Sequence, residues 1–192
     1  MRKFLPWIII GGIVLILFFW IKGINNTAVT LNANIEESWG NVQTSYQRRN
    51  DLIGNLVNTV KGYAEHEKGT LTAVIEARAK ATAVTVDPSN ITPEQLAQFQ
   101  SAQSGVSSSL SRLLVSVERY PDLKTNQNFL KLQDELASTE NQILTARTRF
   151  NESVQAYNGY VLAVPQKWFL SYPEKPFFKS VEGADKPVEV KF

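Results

Sequence analysis

The apolar positions of this chain recur at alternating steps of three and four. Ile35, Trp39, Val42, Tyr46, Arg49, Ile53, Leu56, Val60, Tyr63 and Glu67 form the clearest run, and all but Arg49 and Glu67 are apolar or aromatic. A 3.5-residue period predicts a helix that keeps one seam against neighbouring helices. The pattern extends back through Ile24, Ala28 and Leu31, and forward in phase through Leu71, Val74, Arg78, Ala81 and Thr85. Its continuity past Lys68-Gly69-Thr70 favours one helix bent or weakened at Gly69; the alternative is a new helix capped by Thr70. Beyond it, Asp87-Pro88-Ser89-Asn90 has the chemistry of a turn.

Two more seams follow. Thr92-Pro93-Glu94-Gln95 reads as a helix start, with threonine as cap, proline at the first helical position and glutamine three residues after the cap. Leu96, Phe99, Gln103, Val106, Leu110, Leu113, Val117 and Tyr120 carry that helix to Pro121-Asp122. A last helix is expected to begin between Asp122 and Thr125. Its seam is Phe129, Leu132, Leu136, Thr139, Ile143, Ala146, Phe150, Val154, Tyr157 and Val161, and it stops at Pro165. Short connections make neighbours antiparallel. The predicted fold is all-α: a transmembrane helix, an antiparallel bundle of three to four long helices, and an aromatic, non-helical C-terminal tail.

The membrane reading rests on Phe4 to Ile21, eighteen residues without a charge and with Trp7 and Trp20 near the ends. At about 1.5 Å per residue this run nearly crosses a ~30 Å hydrocarbon layer. It is longer than the core of a signal peptide and no small-x-small cleavage site follows closely, so an uncleaved single-pass anchor is expected. Arg2 and Lys3 precede the run and only Lys22 follows it before Arg48. The positive-inside rule therefore puts the N-terminus in the cytoplasm and the rest outside. The expected organisation is residues 1–3 cytoplasmic, 4–22 transmembrane, 23–164 helical bundle and 165–192 tail.

Composition narrows the function. The 192 residues carry 20 basic and 18 acidic side chains, a net +2, with no basic block, so no nucleic-acid partner is expected. Roughly 165 residues outside the span suffice for one domain with a core. There is no cysteine, which excludes disulfides and thiolate metal sites. The single histidine stands in His66-Glu67-Lys68-Gly69-Thr70, where a zinc-protease motif needs a second histidine at Thr70. No cofactor, metal site or catalytic set is expected.

The residues carry a resemblance. Tyr46-Gln47-Arg48-Arg49, Asp51-Leu52-Ile53, Asn55-Leu56-Val57, Thr59 to Ala64 and His66-Glu67 resemble the LemA family signature. So do Glu118 to Lys124, Asn128-Phe129, Glu135-Leu136, Thr139-Glu140-Asn141, Ala146-Arg147 and Tyr157-Asn158. The resemblance covers about residues 25 to 180, in the family's order. It departs at Gly54, where many members have proline, and at Phe150, where tyrosine is usual. It implies a single-pass bacterial membrane protein with a long-helix bundle and no established enzymatic activity. It points to membrane proteases and other envelope proteins as a class of partner.

Charges on a packed seam need partners. Arg49 and Arg78 lie on seams and Arg147 beside one; Glu118, Asp122 and Glu140 are the candidate counter-charges. Interhelical ion pairs that fix register are the first reading; a protein-docking surface of Arg48, Arg49 and Asp51 is the sharper one. The tail aromatics Trp168, Phe169, Tyr172, Phe177 and Phe178 either pack on the parent helices or form a contact between subunits. The functional expectation is a non-catalytic, self-associating scaffold, a homo-oligomer anchored in the inner-membrane bilayer of a bacterial envelope. The alternative is a sensory or adaptor module acting on a membrane partner such as a protease.

Overall fold

An apolar run that passes without proline into a heptad seam has little to stop it as a helix, since a single Gly23 costs only about 1 kcal/mol. The computed structural model describes residues 5–63 and 67–179, and in it helix α1 runs unbroken from Leu5 to Lys61. Ile13, Leu15 and Phe19 in its first part are exposed, and this is one helix long and apolar enough to cross a membrane. From Ile24 onward the stripe Ala28, Ile35, Trp39, Val42, Tyr46, Arg49, Ile53, Leu56 and Val60 is buried. The bare apolar run and the core seam are therefore two parts of one rod.

The seam fails at its far end. Tyr63 is exposed, and helix α2 begins anew at Lys68 and runs to Ala83. Gly69 lies inside the first turn of α2, so the expected bend at Gly69 is corrected to a break upstream, beginning at the Gly62-Tyr63 turn. Gly62 is a weak helix former, and burial of Leu71, Val74 and Ala81 in the core outweighs local propensity. The Arg78 guanidinium packs over Gly54 of α1, where a Cβ would lie 3.5 Å from Nη1.

Helix α3 spans Pro93–Val117 and opens with the predicted capping box: Gln95 N donates to Thr92 Oγ1 and Thr92 N to Gln95 Oε1, each at 3.2 Å. A short helix, α4, covers Pro121–Lys124, and α5 runs Gln127–Leu162. The expected start of this last helix between Asp122 and Thr125 is corrected to Asn126, whose side chain accepts from Phe129 N at 3.1 Å. That amide oxygen satisfies one of the first-turn N–H groups that have no partner within the helix. Helix α6, Gln166–Phe169, is one turn.

Side-chain contacts give the pairings. Ile24 meets Tyr160, Ser38 meets Ser153 and Arg49 meets Glu140, so α5 runs opposite to α1. Trp39 meets Phe99 and Arg49 meets Gln103 and Ser107, so α3 runs the same way as α1. The main contacts of α2 are with α3. Among the described residues there is no strand.

The core falls into two apolar clusters. One, nearer the apolar end of α1, holds Ile35, Trp39, Tyr46, Phe99, Ile143, Phe150, Tyr157 and Phe178. The other, farther along, holds Ile53, Leu56, Val60, Val74, Val106, Leu113, Phe129 and Leu136. Between them, at one height, lie Arg49, Gln103 and Thr139, all buried.

Candidate functional site

A guanidinium on an apolar seam costs several kcal/mol unless it finds a counter-charge and acceptors. Arg49 finds both, on two other helices. It is 2% exposed. Nη1 donates to Glu140 Oε1 and to Ser107 Oγ, both at 3.1 Å, and Nη2 donates to the Gln103 side-chain oxygen and, at 3.4 Å, to its carbonyl. Its guanidinium carbon lies 4.9 Å from the Tyr46 ring centroid. Glu140 is 46% exposed, so the pair has one dry end and one wet end. A cleft of about 570 Å³ opens on this layer, lined also by Ser104, Arg147 and Lys179. Burial raises the pKa of the Tyr46 hydroxyl, with the Arg147 and Arg49 charges opposing it. Tyr46 stays a neutral phenol.

Of the other charged residues singled out in the sequence, Arg147 lines this cleft and the rest do not converge here. Arg147 donates to the Lys179 carbonyl at 2.9 Å and lies over the Phe178 ring, 4.8 Å from its centroid. Arg78 sits against Gly54 and, among the described residues, forms no ion pair. Glu118 pairs with Lys124 on the α3–α4 turn, and Asp122 is exposed. Of the three expected counter-charges, Glu140 alone reaches one of the seam arginines. Arg48 and Asp51 are exposed on α1, with Asp51 accepting from Gln47 at 3.0 Å. Arg49, grouped with them on the sequence, points into the core instead.

A second polar knot lies at the far end. Glu67, the other charge on the predicted seam, accepts from Arg119 Nη2 at 2.6 Å, Tyr120 OH at 3.1 Å and Thr70 Oγ1 at 2.9 Å. The Thr70 hydrogen bond first, then Tyr120 and the Arg119 charge against the opposing effect of burial, hold its carboxyl below the usual range. Arg119 was not paired with Glu67 on the sequence, because the match depends on how the chain turns after Lys61. The usable signal was the charge at a seam position.

The tail is held by a third arrangement. Asn158 donates to the Lys175 carbonyl at 2.8 Å and accepts from its N–H at 2.9 Å. Asn151 does the same to Phe178, at 3.1 and 2.9 Å. Seven residues of helix rise about 10.5 Å, and three extended residues span roughly 10 Å. Two asparagines at that spacing therefore pair with an extended segment running antiparallel to α5. The clamp seats Phe178 among Trp39, Phe99 and Phe150. For Phe178 the reading as a subunit contact is corrected: it is buried within its own chain, because a ring on a clamped extended segment reaches the gap beside α1. Trp168, Phe169, Tyr172 and Phe177 stay exposed. The Lys175 ammonium, its pKa lowered by burial, donates to Ser89 O at 2.7 Å.

The family model described as LemA family matches residues 38–192, which takes in the Arg49 layer, the Glu67 knot and the asparagine clamp. The chain belongs to the LemA family. Magnetosome protein MamQ 2 of Paramagnetospirillum magneticum is 23% identical over 183 residues, covering 85% of this chain and 67% of that one. Magnetosome protein MamQ of Magnetospirillum gryphiswaldense matches to the same extent. Protein LemA of Metamycoplasma hominis is 23% identical over 146 residues, 76% of this chain and 63% of its own length.

In this LemA-family chain the three polar arrangements share one property. Each joins different elements of the chain. The layer ties α1 to α3 and α5 at one height. Among the described residues no group of three histidine, aspartate or glutamate side chains is placed to hold a metal ion. His66 lies outside the described residues.

Proposed function

We propose that this chain is a membrane-anchored, non-catalytic scaffold of the bacterial envelope, in which α1, α2, α3 and α5 act as one antiparallel bundle and copies associate side by side. The observation that carries the proposal is the continuity of α1 from Leu5 to Lys61. A helix that is both anchor and core seam ties the orientation of the folded part to the membrane, which suits a part that must present a fixed surface. The three polar locks support the same reading, since they tie the helices and the tail to one another. In the proposed arrangement the N-terminus lies in the cytoplasm and the folded part outside it, a reading supported by Arg2 and Lys3 ahead of the apolar run.

Light scattering on the purified full-length protein in detergent tests the proposal. A defined oligomer is expected; a monomer that persists at high concentration overturns self-association. The second reading, an adaptor for a membrane partner, is favoured by the exposed Arg48 and Asp51 on the rod itself. Cross-linking in cells separates the two. Adducts between copies support the scaffold, and a single heterologous adduct without self-adducts supports the adaptor.

A further inference from the structure

The exposed tail aromatics are not scattered. Phe169 meets Trp20 edge-on, with ring centroids 5.7 Å apart and planes at 76°. Tyr160 OH donates to Ile24 O at 3.2 Å, and Tyr172 OH bonds Asn25 Oδ1 at 3.0 Å. These three contacts pin the end of α5 and the segment after it against residues 20–25 of α1. That is the place where the uncharged run ends. A tryptophan at the end of such a run sits at the level of the lipid headgroups. Phe169, touching it, is held at the same level.

What surrounds Phe169 fits that position. Trp168 is 74% exposed, Val164 63%, and Leu162 is also largely exposed. They are apolar and lie within one stretch of eight residues, which meets the bare apolar surface of α1 through Phe169 and Trp20. The segment's backbone is tied up: Lys167 N donates to Ala163 O at 2.8 Å, Trp168 N to Pro165 O at 3.0 Å and Leu170 N to Gln166 O at 2.9 Å. Satisfied backbone groups are what entry into an apolar layer demands. Lys167 lies within the segment and Lys22 follows Trp20 by two residues, and a lysine stem lies along apolar surface while its ammonium reaches phosphate.

We propose that residues 162–169 are a second, shallow membrane contact, in which Leu162, Val164, Trp168 and Phe169 seat in the interfacial layer of the leaflet from which α1 emerges. Continuity with the apolar face of α1 through the Trp20–Phe169 contact chooses lipid as the occupant. Amphipathic segments bind that boundary by burying apolar side chains at headgroup depth. Two contacts, one through the bilayer and one upon it, fix the tilt and rotation of the body, which a single helix does not. The inference rests on α1 spanning the membrane.

Because the chain has no cysteine, single spin labels report depth cleanly. Full-length Val164→Cys, Leu17→Cys and Val115→Cys are labelled, reconstituted in phosphatidylcholine–phosphatidylglycerol vesicles, and compared for access to oxygen and to a water-soluble nickel chelate. Val115 is exposed on α3, roughly 50 Å along the axis from Trp20. The label at 164 is expected to show several-fold lower nickel access than that at 115. Adding Trp168→Ser and Phe169→Ser should return it towards the value at 115. A lipid-embedded label at 17 with a water-exposed one at 164 overturns the inference and leaves the anchor standing. A water-exposed label at 17 removes the anchor reading itself. Dipolar broadening at 164 between neighbouring chains, without a gain in oxygen access, shows a second copy as the occupant and also overturns it.

Discussion

Trp39 stacks on Phe178, with ring centroids 5.9 Å apart and planes inclined by only 16°. One ring belongs to the first helix and the other to the last described stretch of the chain. The tail thus closes the core near the apolar end of α1. Phe178→Ala should cost about 3–5 kcal/mol, since a buried phenyl is removed from a packed site. Phe177→Ala, one residue away and exposed, should stay within about 0.5 kcal/mol. Thermal unfolding of both variants in detergent, followed by far-UV circular dichroism, checks the contrast.

The asparagine clamp gives a graded expectation. Asn158 is buried, so Asn158→Ala strands the N–H and carbonyl of Lys175 out of water and should cost about 2–3 kcal/mol. Asn151 is half-buried, water can replace it, and its loss should cost about 1 kcal/mol. Hydrogen exchange should show the Lys175 and Phe178 amides opening faster in the matching variant, with the centre of α5 unchanged.

The Arg49–Glu140 pair should respond asymmetrically. Glu140→Ala leaves a buried guanidinium without a counter-charge and should cost about 2–4 kcal/mol, below the fully buried limit because Glu140 is partly hydrated. Arg49→Met leaves a carboxylate that water already reaches, and fills the seam with an apolar stem; about 1–2 kcal/mol is expected. The double variant should cost less than the sum by about 1–2 kcal/mol, measured by denaturant unfolding. Additive costs would show that the pair does not lock register.

Glu67 predicts a pH dependence with a definite sign. Its carboxyl is held below the ordinary 4.5 when folded. Such a group stabilises the fold above its unfolded pKa and loses that contribution as pH falls through the folded value. Wild type should therefore lose stability faster than Glu67→Gln from about pH 5 downward, so the gap between their midpoints narrows with acid. A gap that stays constant or widens would mean the carboxylate is not the group held.

Much of this architecture was legible because it depends on local repetition. The helix seams, the capping box at Thr92 and the loop around Pro88 are written in spacing and in single residue types, which act within a few residues of themselves. The break after Lys61 was hidden because α2 resumes in phase with α1. A hydrophobic period reports which face is buried, and says nothing of whether the rod turns back. The start of α5 was misplaced for a related reason: Pro121 opens its own short turn, and only the Asn126 cap begins the long helix.

The sequence by itself determined an all-helical chain of the LemA family, with one apolar segment of bilayer length and charged residues on its seams. Those features follow from periodicity, composition and motif order, all read along one dimension. Only the tertiary structure decided that Arg49 meets Glu140, that Arg119 and not a nearer cation meets Glu67, and that Phe178 is core while Trp168 is surface. Each of these depends on which elements lie side by side after the chain has turned. Partners separated by 91 residues, as Arg49 and Glu140 are, share no local signal. Burial on a common core brings them together, and desolvation then makes the pairing obligatory.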